Sequence, residues 1–117
     1  MIGEFVGQLL HAVTVAHVFH LQSQSYSQHM ALCSFYEDLQ DAVDGFAECY
    51  QSAYGLIDDY PKTLELPEGD PTKWLDGLSQ FVQEKRTGLS DDSELQNLID
   101  EIQGIIDRTL YKLRFLK

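Results

Sequence analysis

The longest helical pattern in the sequence runs from about Tyr26 to Tyr54, and it sets the kind of fold that the chain can form. Apolar residues recur there every three or four positions, at Leu32, Phe35, Leu39, Val43, Phe46 and Tyr50. This spacing places them along one side of a long α-helix. A helix with one apolar stripe is stable only when the stripe is buried. The rest of the chain must therefore supply a partner surface.

Three further segments have the same periodicity. The first helix is predicted over about 2–22, and the serines at 23–27 suit a turn and an N-cap. The third helix is predicted to begin with Asp70 as N-cap and Pro71 at its first position, and the fourth with Ser90 as its cap. The sequence therefore predicts an all-α four-helix bundle.

The segment 55–69 joins the second and third helical patterns. It is interrupted by two prolines and Gly69, and it is long for a connection within a bundle. This length is typical of a crossover that carries the chain along the bundle. A short helical turn is expected near 56–60, with Leu56, Ile57, Tyr60, Leu64 and Leu66 packing across the bundle. The predicted fold is a single domain over 1–117, an up-down four-helix bundle with a long crossover between helices 2 and 3.

Composition limits the partners and the location. The formal net charge is −11, with 19 acidic and 8 basic residues, so a nucleic-acid partner is not expected. The charge is compatible with cation binding and also with a merely solubilising surface. The first residues lack the basic region of a secretory signal, and the apolar run Leu9–Leu21 is too short to span a bilayer. Cys33 and Cys49 lie too far apart on one helix to bridge, and free thiols indicate the cytoplasm.

Four residues form the candidate metal site: His17, His29, Asp44 and Glu48. If the first two helices fold back at Ser23–Ser27, the two histidines lie at similar heights. Asp44 and Glu48 share one helix face but lie roughly 22–28 Å from His29 along the axis, at ~1.5 Å per residue. One chain therefore cannot bring all four to one ion. Two chains with antiparallel second helices can, twice per two-fold dimer.

Neighbouring residues leave alternatives open. His11 and His20 are interpreted as buried, hydrogen-bonded histidines, although His17 and His20, three residues apart on one helix, could share a ligand or a proton network. Acidic residues at 37, 41, 44 and 48 repel one another, which either a solvated face or a bound cation would relieve. Carboxylates with imidazole suit iron, zinc or manganese, and Glu37 is a further possible ligand. The third and fourth helices carry no Glu-x-x-His motif, which argues against a di-iron centre within one chain.

The spacing resembles that of a known family. His29 follows His17 by twelve residues, Asp44 follows His29 by fifteen, and Glu48 follows Asp44 by four. With the words HMALCSFYEDL and VDGFAE, this pattern resembles the Dps-type mini-ferritins of the ferritin-like superfamily, most strongly over Ala16–Gly55. The resemblance implies a ferritin-like bundle that oxidises Fe(II) with peroxide or oxygen at an intersubunit site, with these four residues as ligands. It also implies a homo-oligomer of at least a two-fold dimer.

The sequence departs from the family pattern at three points. Cys33 stands where the family usually has an aspartate, Val18 stands where it usually has a tryptophan, and there is no Lys-rich tail. Two other functions therefore remain open: a metal-binding protein without turnover, and a structural or interaction bundle without the chemistry.

Overall fold

The computed structural model describes residues 1–117 and contains no strand. Its helices are α1 (Ile2–Gln22), α2 (Tyr26–Tyr54), α3 (Pro71–Lys85) and α4 (Ser93–Phe115), and a 3-10 turn at Arg86–Gly88 follows α3. The predicted all-α fold with four helices is confirmed.

Polar side chains set the starts of three helices. Ser25 caps α2 and Asp70 caps α3, as predicted. The predicted cap of α4 is wrong: the N-cap is Asp92, whose carboxylate accepts a hydrogen bond from the Glu94 N–H at 2.9 Å. A carboxylate is also the better match for the positive end of the helix dipole. Ser90 lies two residues earlier, where its hydroxyl accepts a hydrogen bond from the Asp92 N–H at 3.0 Å.

One apolar core, to which all four helices contribute, holds the bundle together. Phe5, Phe35 and Phe46 are its largest fully buried side chains, and the rings of Phe5 and Phe46 meet edge to face at 5.6 Å. The predicted stripe of α2 is buried from Leu32 to Phe46, and Tyr50 is half-buried. Around the core, α2 packs against α1 and α4, and α3 packs chiefly against α4.

The crossover between α2 and α3 carries the chain back along α1. Asp59 lies beside the start of α1, and farther along the His11 Nε2–H donates to the Glu65 carbonyl at 2.6 Å. Near the start of α3, the Trp74 ring lies 5.7 Å from Phe19, close to the end of α1. Helices α2 and α3 therefore run in the same direction, and α1 and α4 run in the opposite one.

The crossover is extended, and the predicted helical turn near 56–60 is absent. Of the apolar residues expected to pack across the bundle, only Ile57 is buried. Leu56 and Leu66 are 84% and 52% exposed. The expectation of broad apolar packing was wrong, because most of these side chains face solvent. The crossover instead contacts α1 through polar groups at Asp59 and Glu65 and through the Pro61 ring at Gly7.

Two glycines of α1 let the crossover approach closely. The Gly3 N–H donates to Asp59 Oδ1 at 2.9 Å, and a Cβ added to Gly3 would overlap the Asp59 backbone. A Cβ on Gly7, one turn later, would lie 2.9 Å from Pro61 Cδ. Real Cβ atoms are essentially never this close to other atoms, so the crossover can lie at this distance from α1 only because both positions are glycine.

Helix α1 is the one helix that is long and apolar enough to cross a membrane by length and composition. Half of its most apolar window is buried inside the bundle. The core helix of a soluble protein and a signal sequence near an N-terminus both meet the same two criteria.

Candidate metal site and histidine cluster

His20 and His29 form a stacked pair at the turn between α1 and α2. Their ring centroids are 3.6 Å apart and the rings are inclined by 18°. His20 Nδ1 donates to the His29 carbonyl at 2.7 Å, and His29 Nδ1 donates to the His20 carbonyl at 2.8 Å. Because a carbonyl only accepts, both Nδ1 atoms carry hydrogen, and each neutral ring has its lone pair on Nε2.

The local chain path explains this pair. Helix α1 ends at Gln22 and α2 begins at Tyr26, so residues at similar distances from the turn face each other. The carbonyls in the last turn of a helix lack partners within the helix, and the His29 side chain supplies one for His20. The interpretation of His20 as a buried, hydrogen-bonded histidine is confirmed, since it is 8% exposed.

His17 lies one turn earlier on α1 and is exposed. Its ring stacks on Tyr36 of α2 at a centroid distance of 4.4 Å, and it lies 5.8 Å from the His20 ring. Tyr36 also contacts His20 edge-on at 5.5 Å. The structure thus places His17 in contact with Tyr36 and places His29 in contact with His20.

Cys33 occupies the next turn of α2 after His29. Its thiol donates a hydrogen bond to Glu37 Oε1 at 2.9 Å, and this bond raises the pKa of Cys33 above its usual value. The hydrogen bond between Tyr36 and Cys33 raises the pKa of Tyr36 as well. Cys33 is therefore a neutral thiol near pH 7, and a neutral thiol is a poor metal ligand.

Asp44 and Glu48 lie in the second half of α2, and both are exposed. Neither carboxylate forms a hydrogen bond or ion pair within the chain. Nearby, partial burial and the Glu94 carboxylate raise the pKa of Cys49. No group of three or more His, Cys, Asp or Glu side chains within the chain is arranged to hold a metal. A site made of all four predicted residues therefore requires two chains.

His17, His20, His29 and Tyr36 form a histidine cluster on the first helical hairpin. Sequence reasoning missed the part played there by His20 and Tyr36. For His20 a buried position was favoured over a ligand or proton network shared with His17, and its contact with His29 was not predicted. Tyr36 was not considered. A signal was present for the first: His20 and His29 lie at nearly equal distances from the centre of the Ser23–Ser25 turn. Pairing residues across that turn would have predicted their contact.

Fold and site together define a small four-helix bundle with imidazole groups clustered on its first helical hairpin. The chain belongs to DUF5856, a family of unknown function, whose family model matches residues 20–113. The matched region includes His29, Asp44 and Glu48 and begins after His17. No curated protein and no solved structure matches the chain.

Proposed function

We propose that this protein is a cytoplasmic, Dps-like mini-ferritin that binds Fe(II) between two chains and oxidises it with peroxide or oxygen. His17 and His29 of one chain and Asp44 and Glu48 of a second would hold the iron. Zinc and manganese suit the same donors. The proposed assembly is at least a two-fold dimer with antiparallel α2 helices.

The observation that carries the proposal is the orientation of His29. Its Nδ1–H is held by the His20 carbonyl at 2.8 Å, which leaves the Nε2 lone pair free. Histidines that bind metals almost always have the other ring nitrogen fixed by a carbonyl or carboxylate in this way. The His20 carbonyl therefore prepares His29 to act as a ligand.

Two further features support the proposal, one for the ferritin-like bundle and one for the site between two chains. The helix order with one long crossover agrees with the ferritin-like class of four-helix bundles. Asp44 and Glu48 are exposed and unpaired, so both are available to a second chain. The spacing of the four residues supplies the link from this fold to iron chemistry.

A second candidate function is a structural or interaction bundle with a weak or lost metal site. The contact that favours it is the Cys33–Glu37 hydrogen bond. Cys33, a neutral thiol, stands where the family usually has a carboxylate ligand, and the hydrogen bond occupies Glu37, the possible substitute ligand. The stacking of His17 on Tyr36 likewise gives His17 a purely structural partner.

Glu48→Gln tests the site because it keeps the shape of the side chain and removes its charge. We expect Fe(II) binding by the purified protein to be abolished or strongly weakened, while the dimer persists. The matched control is Glu84→Gln, which removes one charge from an exposed position on α3. Iron binding should also weaken as the pH falls, because protons compete with the metal for imidazole and carboxylate ligands.

Cys33→Asp tests turnover separately, because it restores the carboxylate that the family usually has. We expect faster ferrous oxidation, measured by absorbance after addition of Fe(II) in air or with peroxide. If Glu48→Gln leaves metal content unchanged and Cys33→Asp leaves oxidation unchanged, the interaction-bundle function replaces the iron-oxidising one.

A further inference from the structure

A surface cavity of about 480 Å³ lies at the end of the bundle that contains the α1–α2 turn. It is formed by the start of α2, the start of α3 and the end of α4. Its volume falls within the range of about 300–1,000 Å³ that is usual for small-molecule sites. Asp44 and Glu48 lie in the other half of α2, so this cavity is separate from the carboxylates of the proposed iron site.

The cavity gathers positive charge in an acidic protein. Lys112, Arg114 and Lys117 line it, three of the eight basic residues of a chain whose net charge is −11. The one acidic residue among its walls is Asp70. Arg114 forms an ion pair with Asp76 at 2.5 Å, whereas neither lysine has an ion-pair partner in the chain.

The remaining walls add polar groups. Ser27, Gln28 and Thr72 contribute hydroxyl and amide groups, and only Leu113 and Leu116 are apolar. The starts of α2 and α3 are already capped by the side chains of Ser25 and Asp70. Affinity for an anion would therefore depend on the side-chain cations, not on the helix ends.

We propose that this cavity binds a small anion with several negative charges, of the phosphate or pyrophosphate type. Two unpaired ammonium groups, beside a guanidinium that Asp76 engages at one of its nitrogens, match an anion with several charged oxygens better than they match a single carboxylate. Eight of the ten lining residues are polar or charged, which suits an ionic ligand. The inference is independent of the iron site, since none of its residues lines this cavity.

The test is calorimetric titration of metal-free protein with sodium pyrophosphate at low salt. We expect saturable binding of one pyrophosphate per chain. Lys112→Gln and Lys117→Gln should each weaken the affinity about five-fold, as expected for loss of one exposed charge pair. Lys62→Gln is the matched control, because it removes the same charge from the crossover, outside the cavity, and should leave the affinity unchanged.

Lys117 is exposed and follows the last helix, so its variant should fold even if Lys112→Gln does not. Absence of saturable binding up to about 10 mM pyrophosphate would overturn the proposal. An equal loss in Lys62→Gln would also overturn it, because it would show general charge attraction. Displacement of pyrophosphate by duplex DNA at about 0.15 M salt would show instead that the cavity binds nucleic-acid phosphates.

Discussion

At the residue scale, two contacts on the first helical hairpin are important: the paired hydrogen bonds of His20 and His29, and the hydrogen bond from Cys33 to Glu37. His20 and His29 exchange hydrogen bonds with each other's backbone, and they fix the ring orientation on which the proposed ligand role of His29 depends. One turn farther along α2, Cys33 donates to Glu37. This second contact controls the charge state of the thiol, and it gives a prediction that does not depend on metal.

Glu37→Gln should make Cys33 more reactive. The hydrogen bond to the Glu37 carboxylate, and to a lesser degree its charge, raises the pKa of Cys33. A neutral amide accepts more weakly and carries no charge, so the substitution lowers that pKa and increases the thiolate fraction near pH 7.5. We expect alkylation by iodoacetamide to be about two- to ten-fold faster, measured by mass spectrometry in a Cys49→Ser background. Asp38→Asn is the control, since it removes a neighbouring charge that does not contact Cys33. Equal rates in both variants would contradict the assigned role of Glu37.

At the element scale, the crossover lies along α1 by close approach to two of its glycines. Gly3 and Gly7 leave the space that the crossover fills at Asp59 and Pro61. Because these contacts are non-local, substitutions at the two glycines should act through packing against the crossover.

Gly7→Ala should destabilise the protein by roughly 1–3 kcal/mol, the usual cost of overpacking a close contact. Gly77→Ala on α3 is the matched control, because no atom lies within 4 Å of the added Cβ. It should stabilise the protein by about 0.5–1 kcal/mol through helix propensity. Urea denaturation measures both changes, and a Gly7→Ala variant at least as stable as wild type would show that the crossover does not depend on this contact.

Asp59 should stabilise the fold in a pH-dependent way. Hydrogen bonds from the Met1 amino group and the Gly3 N–H hold the pKa of Asp59 below its ordinary value. A lowered pKa adds stability above about pH 4, and this stability is lost as the pH falls through the lowered pKa. We expect Asp59→Asn to lower the urea midpoint at pH 7 and the difference from wild type to narrow by about pH 3.

The control for this experiment is Asp58→Asn, at the exposed neighbouring position, which has no such partners. It should leave the midpoint nearly unchanged at both pH values. A difference from wild type that is the same at pH 7 and in acid would show that the Asp59 contact acts by shape alone.

At the scale of the whole molecule, the long axis of the bundle separates the groups of the proposed iron site. The histidines lie near the α1–α2 turn, and Asp44 and Glu48 lie toward the other end of α2. Within one chain, no group of three or more His, Cys, Asp or Glu side chains is arranged to hold a metal. An iron site that uses all four residues is therefore a property of an assembly.

We expect at least a two-fold dimer at micromolar protein, measured by light scattering with size exclusion. Glu48→Gln should remain dimeric, because it relieves repulsion with Asp44 and leaves the side-chain shape unchanged. A protein that is monomeric under these conditions would contradict the intersubunit iron site. That result would leave the histidine cluster and the anion cavity as features of a single bundle.

The sequence by itself determined the helices, the caps of α2 and α3, and most of the core, because apolar spacing and capping are local properties. It also determined that His29 and the pair Asp44 and Glu48 are far apart in one chain, since a continuous helix fixes that separation. Only the tertiary structure decided which residues meet across the first turn. The His20–His29 contact depends on where α1 ends and α2 begins, and a difference of one residue changes the facing pair. The same is true of the close approach of the crossover to Gly3 and Gly7, and of the cavity at the end of the bundle. Both bring together residues that are distant in sequence, and no local pattern predicts such contacts.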